Sequence, residues 1–157
     1  MKKITKKRKI LCITSAIYAV IMAYFLFFRH GFNVGGTYWE HISMNINICP
    51  FYTIRQHLLI ILQQSNPYLV PYAFFNLLGN IIGFIPFGIL LPTLFKQTRT
   101  FKCFFLYAVS SIMLIELIQL FTLRGSCDID DLILNILGSL TGYGINQFMK
   151  LSAYWGE

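Results

Sequence analysis

Four long stretches of apolar residues alternate with polar segments along this chain. They cover residues 10–28, 72–95, 101–123 and 131–149. Each is close to the ~20 residues that an α-helix needs to cross the hydrocarbon core of a bilayer. The pattern predicts an all-α membrane protein, in which a single domain (residues 1–157) forms a bundle of four transmembrane helices.

The segment between the first two stretches, residues 29–71, contains a shorter periodic pattern. Apolar residues recur at positions 54, 58, 59 and 62, the spacing of one helical face. The run is too short to span a bilayer. It predicts a short interfacial helix over residues 53–64, with Thr53 as its N-cap.

Composition supports the membrane assignment, because 56% of the 157 residues are apolar and only 12% are charged. Six of the thirteen Lys and Arg residues precede the first apolar stretch, so the net charge of +7 indicates membrane orientation and not nucleic-acid binding. The segments before span 1, between spans 2 and 3 and after span 4 hold ten Lys and Arg when Lys102 at the start of span 3 is included; the other segments hold Arg29, Arg55 and Arg124. This asymmetry predicts that both termini are cytoplasmic.

Polar residues interrupt the last three spans near their predicted outer ends. At 1.5 Å of rise per residue they lie about 6 to 12 Å below those ends. They are Asn76, Asn80, Glu116, Gln119 and Asn135, with Arg124, Asp128 and Asp131 at the helix mouths. Because a carboxylate in hydrocarbon needs a partner, we expect one polar network in the outer leaflet, and no comparable cluster on the cytoplasmic side.

Small residues share faces with these polar groups. Asp128, Asp131, Asn135, Gly138 and Gly142 are spaced by three and four, which keeps them on one helical face. Glycines at such spacing permit close helix packing. Gly79 and Gly83 repeat that pattern in the second span, and Pro86 predicts a kink or a freed carbonyl there.

The network has two interpretations. Its members serve only to hold helices together and cap them, or they form a ligand or chemical site. The histidines (His30, His41 and His57) are interpreted as outer-loop residues without metal, and no cofactor motif is present. Cys49 and Cys127 are either separate small apolar residues or partners in a disulfide, which the outer compartment permits.

Three motifs resemble the VanZ-like family of bacterial membrane proteins. The first is Asn47-Ile48-Cys49-Pro50-Phe51. The second runs from Asn80 to Gly88 and contains Phe84-Ile85-Pro86-Phe87-Gly88. The third is Glu116-Leu117-Ile118-Gln119, followed by Arg124, Asp128, Asp131, Asn135 and Gly138. The resemblance spans residues 45–145 and adds Asn47 to the candidate network and Pro50, Phe51, Pro86 and Gly88 to the structural residues.

The resemblance implies a multi-pass protein of the bacterial cytoplasmic membrane, in a family named for teicoplanin resistance. The first functional hypothesis is a non-enzymatic envelope protein that binds a lipid-linked or lipophilic ligand in an outer-leaflet pocket. The second is an intramembrane enzyme using Glu116 with Asp128 or Asp131 as acid and base; no nucleophile motif supports it. The third is a transport or assembly accessory, acting as a homo-oligomer or with an envelope-protein partner.

Overall fold

The computed structural model describes residues 5–28, 36–63 and 66–155. Lys2, Lys3, Arg29 and His30, which entered the sequence argument, lie outside these residues. The helices are α1 (Lys6–Phe27), α2 (Tyr38–Met44), α3 (Tyr52–Gln63), α4 (Leu69–Leu94), α5 (Phe101–Phe121), α6 (Ile129–Met149) and α7 (Leu151–Trp155). A 3₁₀ turn covers Lys96–Arg99, and β1 (Ile46–Asn47) and β2 (Cys127–Asp128) are two-residue strands.

The predicted all-α architecture is confirmed. Among the described residues, three helices are long and apolar enough to cross a membrane: α1, α4 and α5. Helix α6 has 21 residues, about 31 Å at 1.5 Å per residue, but its polar residues and glycines keep it out of that group. A fourth span at α6 therefore stays a prediction.

In the described part of the chain, the interior of the bundle contains as many polar as apolar side chains, and its exterior is apolar, which is the inverse of a water-soluble protein. Among the described residues, ten apolar and ten polar or charged side chains are buried. Large apolar side chains on the outside of the long helices are exposed, including Val20 at 70% and Leu106 at 66%. Such a continuous apolar exterior is expected of a surface that faces lipid.

Helices α4 and α6 make the closest helix–helix contact, and glycines permit it. A Cβ on Gly138 would collide with the carbonyl oxygen of Ile81, and a Cβ on Gly142 with that of Ile85. In return, a Cβ on Gly88 would collide with the carbonyl oxygen of Ser139. The two backbones are thus in van der Waals contact along several turns.

The segment between α1 and α4 contains more structure than the sequence pattern predicted. Helix α2 was not predicted; Thr37 and Glu40 form a capping box at its start. Helix α3 lies where a short helix was predicted, but Thr53 is not its N-cap: the helix already begins at Tyr52. Strand β1 pairs in parallel with β2, with Ile46 opposite Cys127 and Asn47 opposite Asp128.

The elements that connect the long helices lie at the two ends of the bundle. One end holds α2, α3 and the β1–β2 pair. At the other end, Lys7 Nζ lies 3.7 Å from the centre of the Tyr154 ring, and Arg99 Nη2 donates to the carbonyl of Ser152 at 2.7 Å. The described Lys and Arg residues before span 1 (Lys6, Lys7, Arg8 and Lys9) thus belong to the end of the molecule that holds α7.

Candidate functional site

A cavity of about 900 Å³ lies between α1, α4, α5 and α6, toward the end that holds the β1–β2 pair. Its wall includes Asn45 and Ser126 near that end and reaches Tyr18 and Pro86 near the middle of the long helices. Seven of the nine predicted network residues line it: Asn76, Asn80, Glu116, Gln119, Arg124, Asp131 and Asn135. Much of the remaining wall is apolar, with Ile21, Met22 and Phe25 of α1 facing α4.

Two carboxylate–amide pairs form the polar wall. Asn80 Nδ2 of α4 donates to Asp131 Oδ1 of α6 at 2.6 Å. Asn135 Nδ2 of α6 donates to Glu116 Oε1 of α5 at 3.2 Å. Since the Asp131 charge also repels that of Glu116, the pairs form one coupled group that joins three helices.

The Glu116–Asn135 pair is incompletely satisfied. Glu116 is 4% exposed and Asn135 1% exposed. Neither Glu116 Oε2 nor Asn135 Oδ1 has a hydrogen-bond partner among the described residues. The backbone amide of Asp128 lies close enough to the Glu116 carboxylate to act as a weak hydrogen-bond donor, although its geometry falls short of a hydrogen bond to Oε2.

Gln119 and Arg124 lie at the outer part of the cavity. Gln119 Nε2 donates to the carbonyl of Leu26 at 2.9 Å, which ties α5 to the end of α1. The Arg124 guanidinium carbon lies 5.7 Å from the centre of the Phe28 ring, within cation–π range. Both side chains therefore connect the cavity wall to α1.

The other two predicted residues, Asn47 and Asp128, lie beside the cavity in the β1–β2 pair. Asn47 Nδ2 is 3.3 Å from both Asp128 carboxylate oxygens and donates to Thr53 Oγ1 at 2.9 Å. The Thr53 hydroxyl donates to Asp128 Oδ2 at 2.6 Å. Asp128 is also the N-cap of α6, accepting from the Asp130 amide at 2.8 Å. These two residues hold α3 against the start of α6.

Asp130 was not selected from the sequence. Its side chain is fully buried and reaches across to the start of α3, where it accepts from the amides of Phe51 at 2.5 Å and Ile54 at 3.1 Å. Phe51 has a φ of 65°, a left-handed conformation that places its amide toward Asp130. The acid thus caps α3 from another helix, where Thr53 was predicted to do so.

His57 and Asn76 join α3 to α4. The His57 ring packs edge-on against Tyr72, with centres 5.8 Å apart. Burial lowers the pKa of the His57 imidazole, and the Asn76 side chain and the Asp128 carboxylate oppose that shift. His57 therefore packs between α3 and α4 and is not a free surface histidine.

The prediction about the small residues of span 2 is wrong. Gly79 and Gly83 do not bring backbones together: a Cβ on Gly79 would meet nothing within 4 Å, and one on Gly83 only Met22. They line the cavity instead, because α4 turns its other face toward α6. Helix α4 continues through Pro86 and Pro92, and a kink or a freed carbonyl at Pro86 stays a prediction.

The expectation that polar groups cluster only at the outer end is also wrong. Near the opposite end, Asn146 Nδ2 donates to the carbonyl of Ile89 at 2.8 Å and to Thr93 Oγ1 at 2.7 Å. Buried Thr98 donates to the carbonyl of Leu91 at 3.0 Å. These bonds are directed largely to backbone carbonyls around Pro92, so they satisfy the end of α4 and do not build a second cavity.

The sequence left open whether Cys49 and Cys127 form a disulfide. Cys49 and Cys127 are separate thiols in this structure, as are Cys12 and Cys103. Burial raises the pKa of the Cys127 thiol, and the nearby carboxylates of Glu116 and Asp128 add to that effect. Its thiolate form is therefore disfavoured, unlike that of a cysteine nucleophile.

Comparison with known proteins assigns the chain to a family. The sequence model of the VanZ/LLP1 family matches residues 15–150, which include the whole cavity wall. The chain belongs to this family. A VanZ/LLP1-type relative, Protein VanZ of Enterococcus faecium, is 28% identical over 135 residues, covering 84% of this chain and 72% of the relative. No solved structure matches the chain.

Proposed function

We propose that this VanZ/LLP1 protein is a four-span protein of the bacterial cytoplasmic membrane with both termini in the cytoplasm. The concentration of Lys and Arg at the end that holds α7 supports this orientation. In it, the cavity opens toward the extracytoplasmic side, and α3 lies at the outer interface. Helix α6 is the fourth span, its polar residues turned toward α4 and α5 and away from lipid.

The function proposed for the cavity is the binding of a lipid-linked or lipophilic ligand. The observation that carries it is a volume of about 900 Å³ with a polar wall on one side and an apolar wall on the other. This volume is at the upper end of the range for small-molecule sites. A head group fits against Asn80, Glu116 and Asp131, and a hydrocarbon chain against the α1 side.

A route into the cavity runs between α1 and α4. Among the described residues of α1, only Leu11 is buried. Helix α1 is held near the cavity by the Tyr18 hydroxyl, which donates to the carbonyl of Gly83 at 2.8 Å, and by the bond from Gln119 to Leu26. A small outward movement of α1 gives an amphiphile direct access from the outer leaflet.

The phenotype proposed from the relative is resistance to teicoplanin, a lipophilic glycopeptide. The test is a teicoplanin susceptibility assay in cells that express wild type, Glu116→Gln or Asn80→Ala at matched membrane levels. We expect wild type to protect and both variants to lose protection, because each breaks one carboxylate–amide pair of the wall.

Two variants away from the cavity serve as controls. Glu40→Gln keeps the capping box of α2, since Gln is accepted at that position, and Gln147→Ala lies at the opposite end of α6. Both are expected to protect like wild type. Protection by the cavity variants equal to that of the controls would show that the polar wall is not needed for this phenotype.

An intramembrane enzyme is the second candidate, favoured by one observation: the carboxylates of Glu116 and Asp131 line the same cavity. In that case Glu116 and Asp131 supply the acid and base, because Asp128 is fully engaged as a helix cap. Purified protein that converts an envelope lipid, and loses turnover with Glu116→Gln while still binding the lipid, would favour the enzyme over the binding protein.

A further inference from the structure

The two atoms of the Glu116–Asn135 pair that lack a hydrogen-bond partner are both acceptors. Glu116 Oε2 and Asn135 Oδ1 are both oxygen atoms without a partner among the described residues. The amide orientation of Asn135 is fixed by its donation to Glu116 Oε1. Buried polar atoms left unsatisfied are costly, so this pair requires either a proton on Glu116 or a donor from outside the wall.

The neighbouring carboxylates do not share this requirement. Asp128 accepts from Thr53 and from the amide of Asp130. Asp130 accepts through both of its oxygens from α3, and Asp131 accepts from Asn80. Among these carboxylates of the described residues, Glu116 of α5 is therefore the one with a buried oxygen that has no hydrogen-bond partner.

A carboxylate oxygen and an amide oxygen side by side define the chemistry of the missing group. A group that only accepts, such as a carbonyl or a phosphate oxygen, cannot satisfy either atom. An ammonium offers N–H donors and also compensates the charge of a carboxylate buried in a low-dielectric setting. A quaternary ammonium carries the same charge but has no N–H.

We propose, on the basis of the proposed ligand-binding function, that the cavity selects amphiphiles with a primary ammonium head group. The N–H groups donate to Glu116 Oε2 and Asn135 Oδ1, and the hydrocarbon chain lies along α1 at Met22 and Phe25. The source of the amine is either the head group of a bilayer lipid or a separate lipophilic amine, and the two share this recognition chemistry.

The test uses the full-length protein in phosphatidylcholine nanodiscs and a photoreactive probe, dodecylamine with a diazirine at the end of its chain. Labelling is quantified by intact mass, and labelled peptides are mapped. Competitors are dodecylammonium, dodecyltrimethylammonium and 1-dodecanol, which separate donor capacity from charge and from chain length. We expect dodecylammonium to compete at a concentration about tenfold lower than either of the others, as the loss of charge-assisted hydrogen bonds predicts.

Variants locate the selectivity. Glu116→Gln is expected to reduce the preference for dodecylammonium over dodecyltrimethylammonium to about twofold or less, because the remaining amide lacks the charge. Glu40→Gln, which changes an exposed carboxylate outside the cavity, is expected to keep the full preference. Thermal unfolding of each variant in the same nanodiscs identifies any loss that comes from misfolding.

The two sources are separated by lipid exchange. Replacing part of the phosphatidylcholine with phosphatidylethanolamine adds primary ammonium head groups, and the lipids remain zwitterionic. Reduced probe labelling assigns the site to a lipid head group, and unchanged labelling assigns it to a separate lipophilic amine.

The experiment distinguishes a failure of this inference from a failure of the proposed function. Equal competition by the primary and quaternary amines, with labelled peptides from the cavity wall, would overturn the donor requirement and leave the binding function standing. Absence of labelling in the peptides of α1, α4, α5 and α6 would overturn both.

Discussion

At the scale of single residues, the three acids at and just after the N-cap of α6 do three different things. Asp128 caps its own helix and binds Asn47 and Thr53. Asp130 caps α3 from outside it. Asp131 accepts from Asn80 of α4. Asp130 and Asp131 differ because adjacent residues of a helix project in different directions. Asp128 differs because it is the N-cap and has an extended backbone conformation.

The cap formed by Asp130 is a prediction at this scale. Asp130→Ala removes the acceptor of the part-buried amides of Phe51 and Ile54. We expect a loss of about 2 kcal/mol in the stability of the α3 region, the order of magnitude for hydrogen bonds to a charged group. Hydrogen exchange should show faster exchange of the amides of Phe51 and Ile54.

The matched control is Glu40→Gln, which alters an acid at the start of α2. It should leave exchange in α3 unchanged. Equal protection of the α3 amides in wild type and Asp130→Ala would show that the contact does not hold the helix in place.

Predictions of individual residues from the sequence succeeded where the pattern of residues on one helix face was enough to make them. The polar positions of α4, α5 and α6 were selected by depth and spacing, and seven of the nine network residues line one cavity. Asp130 was missed because it lies off that face, toward α3. Its partner is about 80 residues away in the chain, and no local spacing reveals it.

At the scale of elements, the contact between α4 and α6 depends on which glycines face it. Gly88, Gly138 and Gly142 lie in the contact, whereas Gly79 and Gly83 line the cavity. Gly79 and Gly83 of α4 have the same spacing in the sequence as Gly138 and Gly142 of α6. Only the rotation of α4 about its axis decides that Gly88, and not Gly79 or Gly83, faces α6.

Alanine substitutions test this assignment. Gly142→Ala places a methyl group against the carbonyl of Ile85, so the helices must separate, at a cost of about 1–3 kcal/mol for overpacking. Gly79→Ala meets open space and gains up to about 1 kcal/mol of helix propensity. Thermal unfolding in detergent should therefore show a lower midpoint for Gly142→Ala and an unchanged or higher one for Gly79→Ala. The reverse order would mean that α4 presents its other face to α6.

At the scale of the whole molecule, the connecting elements divide between two ends, and membrane orientation follows from charge. Cys49 lies in the exposed segment between β1 and α3, and Gln97 is exposed in the 3₁₀ turn at the opposite end. The proposed topology places the first outside the cell and the second in the cytoplasm.

Cysteine labelling tests this topology. In a variant whose other three cysteines are replaced by alanine, Cys49 should react with a membrane-impermeant maleimide in intact cells. In a cysteine-free protein with Gln97→Cys, labelling should require permeabilised cells. Labelling of position 97 in intact cells and of Cys49 only after permeabilisation would invert the topology.

The sequence by itself determined the all-α class, the apolar helices, the family and most of the polar residues that line one cavity. These are properties of composition and of spacing within one helix. The tertiary structure decided which glycines are in contact, that Asp130 caps α3, that Asn47 and Asp128 meet in a β-pair, and that a cavity separates α1 from α4. Each of these depends on the rotation and separation of helices distant in sequence, which are set by packing and not by any local pattern.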